Sequence, residues 1–265
     1  MTAYIPECDI YGDTVPEDLW PLRELRIPYS FIYFNRINST NDTAKAGDYP
    51  DRTAIIADTQ DVGRGRFMRD WYSPPGVNIH MSIVLRPVEA EAQATLSLIN
   101  TAAALAMSRA LATATSLDVW PKWPNDVYIG TKKAGGILSE SLISGARVLR
   151  LVIGIGLNVN TLKFPVPLQD KATSLLIESG IRYKRGDIIA LILREFDECR
   201  LFSPDRLISA WSAMSKTINS YVPAGGGRGG VARALNEDGS LVIELDSGQS
   251  ISLNSAGEVT SAPCH

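Results

Sequence analysis

DTQDVGRGRFMRDWYSPPGVNIHMSIVL, residues 58–85, sets Arg64, Arg66 and Arg69 in a glycine-broken loop between two apolar runs. The run TAIIAD at 53–58 enters the loop and VNIHMSIVL at 77–85 leaves it; both read as buried strands, so the loop has a rigid base at each end. Only Asp58, Asp61 and Asp70 are available within the segment to pair three arginines, so a phosphate or carboxylate ligand is expected to settle the excess charge. Gly63 and Gly65 offer the backbone freedom and close approach that a phosphate-binding loop needs, and guanidinium supplies a planar fork of donors. The same composition also suits a solvated or nucleic-acid-facing basic loop. Trp71, Tyr72, Ser73, Pro74 and Pro75 form a stiff return, with Trp71 either anchoring the loop or walling a ligand site.

Upstream, the aromatic and β-branched run at 30–36 predicts a strand, and residues 1–29, broken by four prolines, predict a capping segment. Ser39, Thr40 and Asn41 offer caps to a short helix and can also face the arginine loop. Downstream, the alanine- and leucine-rich stretch 92–115 predicts a long helix packing through Leu96, Ile99, Ala103 and Ala106. A second polar cluster follows in PKWPNDVYIGTKKAGGILSE, residues 121–140. A tight return at Gly130 and Thr131 would carry Lys133 back to Asp126, while Gly135 and Gly136 let the backbone approach a ligand. Lys122 and Trp123 fall on opposite faces if extended; a surface salt-linked hairpin with Trp123 in the core fits the same pattern. The apolar run from 147, ending GIGLN, predicts a central strand with Asn158 and Asn160 at its polar end. Residues 161–174 read as a proline-broken loop, 188–200 as an amphipathic helix and DRLISAWSAM as a shorter one. Beyond about 214–217 the chain turns to short strands at 230–235, 241–245 and 250–253, a small barrel-like appendage, with GGGRGG at 225–230 as a flexible hairpin loop.

Composition narrows the function. Net charge is −3 and the pI about 5.5, so broad attraction to nucleic acid is disfavoured while a local basic site is not. Cys8, Cys199 and Cys264 make neither a metal spacing nor a disulfide framework, which favours a reducing compartment. His80, the one internal histidine, reads as a packed strand residue or, less simply, a substrate contact. With neither a signal core nor a membrane-length apolar span, a cytoplasmic protein with no membrane partner is expected.

Taken together, STN at 39–41, Gln60, GRGRFMRDW at 63–71, SPPGVN at 73–78, KWPND at 122–126, KKAGGILSE at 132–140 and GIGLNVN at 154–160 resemble the biotin protein ligases. The resemblance implies an α+β chain: a mixed central sheet like that of class II aminoacyl-tRNA synthetases over 30–216, and an SH3-like domain over 217–265. It implies that biotin and ATP, with Mg²⁺, form biotinyl-5'-AMP, and that a lysine of a biotin carboxyl carrier domain then takes the biotinyl group. It assigns Arg66 to the adenylate phosphate, Arg69 to ordering the nucleotide loop and Arg64 to the polyphosphate. Lys133 falls to the carboxylate or bridging oxygen and Asp126 to the incoming amine. Ser39, Thr40 and Gln60 fall to the biotin ureido group, with backbone help from Gly135 and Gly136 and apolar walls from Trp71 or Trp123. Asn41, Gly63, Gly65, Lys122 and Asn125 complete the ligand set, Asn158 is a nucleotide or metal-site candidate, and no all-protein metal centre is expected. A homodimer is also implied. One departure stands out: where the family commonly has GRGRxGR this chain has GRGRFMR, so Met68 replaces a glycine, restricting the loop or lidding the ligand. Alternatives are a lipoate or other carboxylate-cofactor ligase, a nonenzymatic biotinyl-adenylate sensor or DNA-binding regulator, and a nucleic-acid-binding module.

Overall fold

The computed structural model describes residues 14–86, 92–145, 147–254 and 259–261; Cys8, Cys264, His265 and the start of the expected capping segment lie outside them. The two runs flanking α1 (Thr40–Ala46) form β1 (Ser30–Ile37) and β2 (Thr53–Gln60), paired in parallel. Residues 53–58 are all buried, which is why they read as an unbroken apolar block. β3 (Ile79–Leu85) returns antiparallel beside β2, entirely buried, and begins two residues later than its apolar pattern because Val77 and Asn78 still belong to the turn. After α2 (Ala92–Thr115) come β4 (Val119–Lys122), β5 (Asp126–Ile129), β6 (Lys132–Ser144) and β7 (Arg147–Leu157). They complete a seven-stranded mixed sheet in the order β1-β2-β3-β7-β6-β5-β4.

The two faces of this sheet differ in how they are covered. On one, α2 brings Ile99, Ala103, Ala106 and Ala110 into a core shared with Ile137 of β6 and Ile153 and Ile155 of β7; small side chains spaced along one helix face permit that close approach. After α3 (Leu175–Ser179), α4 (Arg185–Cys199) adds Ile189, Leu193 and Phe196, and α5 (Pro204–Met214) adds Leu207 and Trp211. α4 starts ahead of its first isoleucine because Gly186 lets the helix press on the Glu17–Glu24 3₁₀ segment, where a Cβ would stand 2.9 Å from the Asp18 carbonyl oxygen. On the opposite face α1 is the one helix among the described residues that covers the sheet, over Phe34, Ile55, Ala57, Val84 and Val152. Gly154 and Gly156 share that face with Val152 and leave it open.

A smaller antiparallel sheet of β8 (Tyr221–Gly225), β9 (Arg228–Leu235), β10 (Leu241–Leu245), β11 (Ser250–Leu253) and β12 (Val259–Ser261) follows. The glycine run is shorter as a loop than its composition suggests: Gly225, Gly226 and Gly227 turn with φ of 79°, 58° and 74°, and β9 is already under way at Arg228. Ala224, Ala232, Ile243 and Ile251 join the main core. No described helix is long and apolar enough to cross a membrane.

Candidate active site

A cavity of about 350 Å³ lies on the thinly covered face. Its floor is the Gly154–Gly156 stretch of β7, and the missing side chains are replaced by neighbours: a Cβ at Gly156 would stand 2.6 Å from Trp71 Cε2, and one at Gly154 would collide with the Asn41 carboxamide. Trp71 therefore walls the cavity, the second of its two sequence readings.

One end is polar and internally bonded. Ser39 caps α1, its Oγ accepting from the Asp42 amide at 3.4 Å. Gln60 Oε1 accepts from the Thr40 amide at 2.8 Å and from Thr40 Oγ1 at 3.1 Å. Ser82 Oγ sits 2.7 Å from Thr40 Oγ1 and 2.6 Å from Asn41 Oδ1. Asn41 Nδ2 donates to the Leu138 carbonyl at 3.1 Å and to Glu140 Oε2 at 2.7 Å. Ser82 was the one member of this group that the motifs did not mark; its signal was a serine inside the apolar strand IHMSIVL.

The other end is charged. The β5–β6 return brings Lys133 Nζ to 2.6 Å from Asp126 Oδ1, as the turn chemistry predicts, and 5.5 Å from the centroid of the Trp71 ring. Arg66 Nη1 donates to Asn125 Oδ1 at 3.2 Å. Burial lowers the Arg66 pKa; Asp126 raises it and Arg69 lowers it further. Asn125 is fixed in turn, its Nδ2 donating to the Ile137 carbonyl at 2.6 Å. Phe164, Leu168, Lys171 and Tyr72 close the side, with the Tyr72 and Phe164 ring centroids 6.1 Å apart. The loop 161–174 reaches there because it docks on β6, where Lys133 exchanges backbone bonds with Lys171 and Thr173 at 2.9 Å each; no motif pointed to it.

Several residues stand elsewhere than the sequence suggests. Arg64 lines the cavity but is committed to Asp42, with both guanidinium nitrogens 2.5 Å from its carboxylate, and lies 3.5 Å from Glu140. That fork holds the Asp42 carboxyl down at about 2. The charge of Arg64 is thus met by acidic residues outside the loop, while Asp58 is taken by Arg185 and Asp61 by Arg36. Left-handed backbone in the loop falls on Phe67 and Met68, each at φ 56°, and not on Gly63 or Gly65. Met68 points to solvent and does not lid the cavity; Phe67 lines it, with Arg66 4.9 Å above its ring. Gly65 lines the cavity, whereas Gly63 packs on Gln60 and Ser73, and Gly135 on Met107, leaving Gly136 as the lining glycine.

Lys122 turns away, its Nζ donating to Tyr128 Oη at 3.2 Å. Trp123 Nε1 donates to the Gly239 carbonyl at 3.1 Å, so this indole joins the two sheets instead of walling the cavity. Asn158 reaches the cavity, but its Nδ2 donates to the Thr173 carbonyl at 3.0 Å and its Oδ1 lies 3.4 Å from Asn78 Nδ2. His80 does not line it; burial, then Arg185, pushes its pKa down to about 3.

A glycine-floored slot, polar at one end and cationic at the other, suits a small molecule with a neutral polar head and an anionic tail that meets phosphate beside Arg66 and Lys133. The biotin/lipoate A/B protein ligase family profile matches residues 33–158. The bifunctional ligase/repressor BirA of Bacillus spizizenii is 35% identical over 232 residues, covering 82% of this chain and 70% of that protein. A biotin–[acetyl-CoA-carboxylase] ligase of Mycobacterium tuberculosis is 33% identical, covering 82% of this chain and 81% of its own. Among solved structures, the biotin protein ligase from Aquifex aeolicus in complex with biotin and ATP superposes with a TM-score of 0.76 at 28% identity, over 89% of this chain and all of that one.

Proposed function

Because the chain belongs to the biotin/lipoate A/B protein ligase family, we propose that it joins biotin to a carrier protein through a biotinyl-5'-AMP intermediate. A biotin carboxylate oxygen attacks the α-phosphorus of ATP, the new P–O bond forms as the α–β bridge breaks, and pyrophosphate leaves. The carrier lysine nitrogen then attacks the acyl carbon; the C–N bond forms, the C–O bond to AMP breaks, and the nitrogen sheds a proton.

The juxtaposition of Arg66, Lys133 and Asp126 at one end of a slot whose other end holds the Thr40–Gln60–Asn41 network supports this reading most directly. In this reading the ureido head lies at the polar end, where Gln60 keeps its amide hydrogens available because only its oxygen is used by Thr40. Arg66 and Lys133 stabilise charge gathering on the transferring phosphoryl group, and positioned donors in a partly dry site act more strongly than in water. Asp126 holds Lys133 before substrate arrives and orients the amine afterwards. Arg64 builds the polar end through Asp42 and Glu140, and Arg69 orders the nucleotide side. Mg²⁺ fits as the companion of ATP: the described residues hold no cluster of three or more metal-ligating side chains, but Asp126 and Asp70 line the cavity, and a phosphate-chelated Mg²⁺ needs only one or two protein carboxylates. Such an ion supplies charge neutralisation on the phosphates.

The acceptor in this reading is a carrier domain of a biotin-dependent carboxylase, in the cytoplasm where ATP is available. A homodimer belongs to the same proposal, supported by the exposed Leu142, Ile143 and Leu149 at the tip of the β6–β7 hairpin. Incubation of a carrier domain with the protein, ATP, Mg²⁺ and biotin is expected to add one biotinyl group by intact mass. Lipoate in place of biotin is expected to add nothing, and an unmodified carrier in the complete mixture refutes the reading.

A further inference from the structure

A second cavity, of about 260 Å³, adjoins the first across Arg66, Phe67, Pro124 and Asn125, and its outer wall includes Asn100 of α2 and Ser139 of β6. Both are polar residues in apolar surroundings: Asn100 interrupts LSLINTAAALAM and Ser139 follows GGIL. Asn100 Oδ1 and Ser139 Oγ are buried and have no hydrogen-bond partner among the described residues. A buried polar atom left unpaired is destabilising by about 1–3 kcal/mol, so two of them on residues that line one cavity favour a ligand that satisfies both.

The lining narrows that ligand. A carboxamide oxygen can only accept, and a serine hydroxyl has lone pairs to offer, so a head carrying more than one hydrogen-bond donor, as an amine does, satisfies both. Phe67, Pro124, Ile137 and Leu138 supply apolar wall along the same space. An apolar stem ending in a donor head matches both features, which is the character of a lysine side chain. Arg66 is the charged group of this lining and no carboxylate stands in it, which favours the neutral amine over the ammonium, and Asp126 of the first cavity's lining follows Asn125 directly in the chain.

We propose that the second cavity is the port through which the acceptor lysine reaches the acyl-adenylate, with Asn100 Oδ1 and Ser139 Oγ receiving the N–H groups of its neutral amine. The proposal rests on the ligase reading above. Past the port the lone pair of the neutral amine attacks the acyl carbon, the C–N bond forms as the acyl C–O bond breaks to release AMP, and the nitrogen gives its one surplus proton to a base, Asp126 being the carboxylate at hand.

Separating the two half-reactions tests this. Biotin-dependent pyrophosphate exchange reports adenylate formation, and single-turnover transfer from preformed biotinyl-5'-AMP reports the second step, with a carrier domain and with n-butylamine as acceptors. Asn100→Leu and Ser139→Ala are each expected to lower kcat/KM for both acceptors about tenfold, with pyrophosphate exchange within about twofold of the parent. Asn100→Asp, which places a carboxylate in the port, is expected to lower the KM for n-butylamine several-fold at neutral pH. Unchanged transfer in the Asn100→Leu/Ser139→Ala double variant overturns the port, as does equal loss in both half-reactions or loss confined to the carrier domain. If Asn100→Leu does not fold, Ser139→Ala and Asn100→Asp decide the same question: wild-type transfer in the first together with an unchanged n-butylamine KM in the second overturns the port. A parent protein that makes no adenylate from biotin and ATP refutes the ligase reading itself, whereas normal adenylation with untouched transfer refutes only the port.

Discussion

The polar end of the main cavity and the arginine loop that overhangs it are built on opposite plans. At the polar end, Ser39, Thr40, Asn41 and Ser82 are all buried, and Asn41 spends both amide functions on protein partners. The loop beside it presents Phe67 and Met68 at 67% and 76% exposure, both in left-handed backbone that β-carbon-bearing residues seldom adopt. One end is therefore shaped by folding and needs no ligand to hold it. The other is held by a narrow backbone hairpin, Gly65 N to Arg69 O at 2.8 Å and Trp71 N to Gly63 O at 2.9 Å, and is tied to the rest of the fold through Arg64, Arg66 and Trp71 while Phe67 and Met68 stand out from it. Substrate recognition is assigned by this contrast to the fold, and charge stabilisation to groups that adjust when phosphate arrives.

The largest effect that tests the contrast is at the charged end. Lys133→Ala is expected to slow biotin-dependent pyrophosphate exchange by about 10²–10³-fold, the usual loss when one charge-stabilising donor is removed. It should leave thermal stability nearly unchanged, because Lys133 is partly exposed and its ion pair with Asp126 sits at the cavity wall. Wild-type exchange in this variant removes Lys133 from the chemistry. At the polar end the sensitivity should be reversed. Asn41→Leu takes one hydrogen bond each from the Leu138 carbonyl, Glu140 and Ser82, so a loss of about 2–3 kcal/mol in unfolding free energy is expected together with weakened biotin binding. A variant that loses biotin affinity while keeping full stability in urea would show that this end is not prebuilt.

Acid provides a third probe. The buried His80 has its folded pKa at about 3, well below its ordinary value of 6.5, so the unfolded chain takes up a proton that the native chain refuses. Stability from this group is complete above about pH 6.5 and drains away as pH falls towards 3. At pH 5 the loss is about 2 kcal/mol, from 1.36 kcal/mol per unit of separation. Replacement by leucine is expected to flatten the stability–pH profile between about pH 6.5 and 4, read from urea midpoints; an unchanged slope in His80→Leu assigns the acid sensitivity to another group. Asp42, held at about 2 by Arg64, acts at lower pH, its contribution fading as pH drops from about 4 through 2.

What the sequence disclosed divides along the same line. Strands announced themselves where burial on both faces forces a continuous apolar run, as in TAIIAD, and α2 where alanine and leucine persist without a breaker. The Lys133–Asp126 pair was legible because a short turn fixes the register between two adjacent strands. Partners brought together only by the tertiary fold were not: Arg64 with Asp42, Ser82 with Asn41, and Trp123 with Gly239 of the smaller sheet. Nor does residue type reveal backbone hand, for glycine permits φ above zero without requiring it. Here Gly63 and Gly65 are not left-handed and the two residues after Arg66 are.

That inversion gives the smallest effect and the sharpest test of the loop's plan. Met68 occupies a left-handed position where the related motif has glycine, and a non-glycine residue there is disfavoured by about 1–2 kcal/mol. Met68→Gly removes that penalty but also gives the unfolded chain more freedom, which offsets about 0.5–1 kcal/mol. The net change in global stability is therefore expected to fall within about 1 kcal/mol, too little to matter by itself. The local balance is different, because Met68 lies outside the cavity and contributes no wall to it. Its replacement should alter how readily the loop departs from the arrangement seen here without altering the groups that meet phosphate. Faster release of biotinyl-5'-AMP, with the rate of its formation within about twofold of the parent, is the expected outcome. Equal lifetimes of the bound intermediate in parent and Met68→Gly would mean that the backbone at this position does not govern how long the loop stays closed over its ligand.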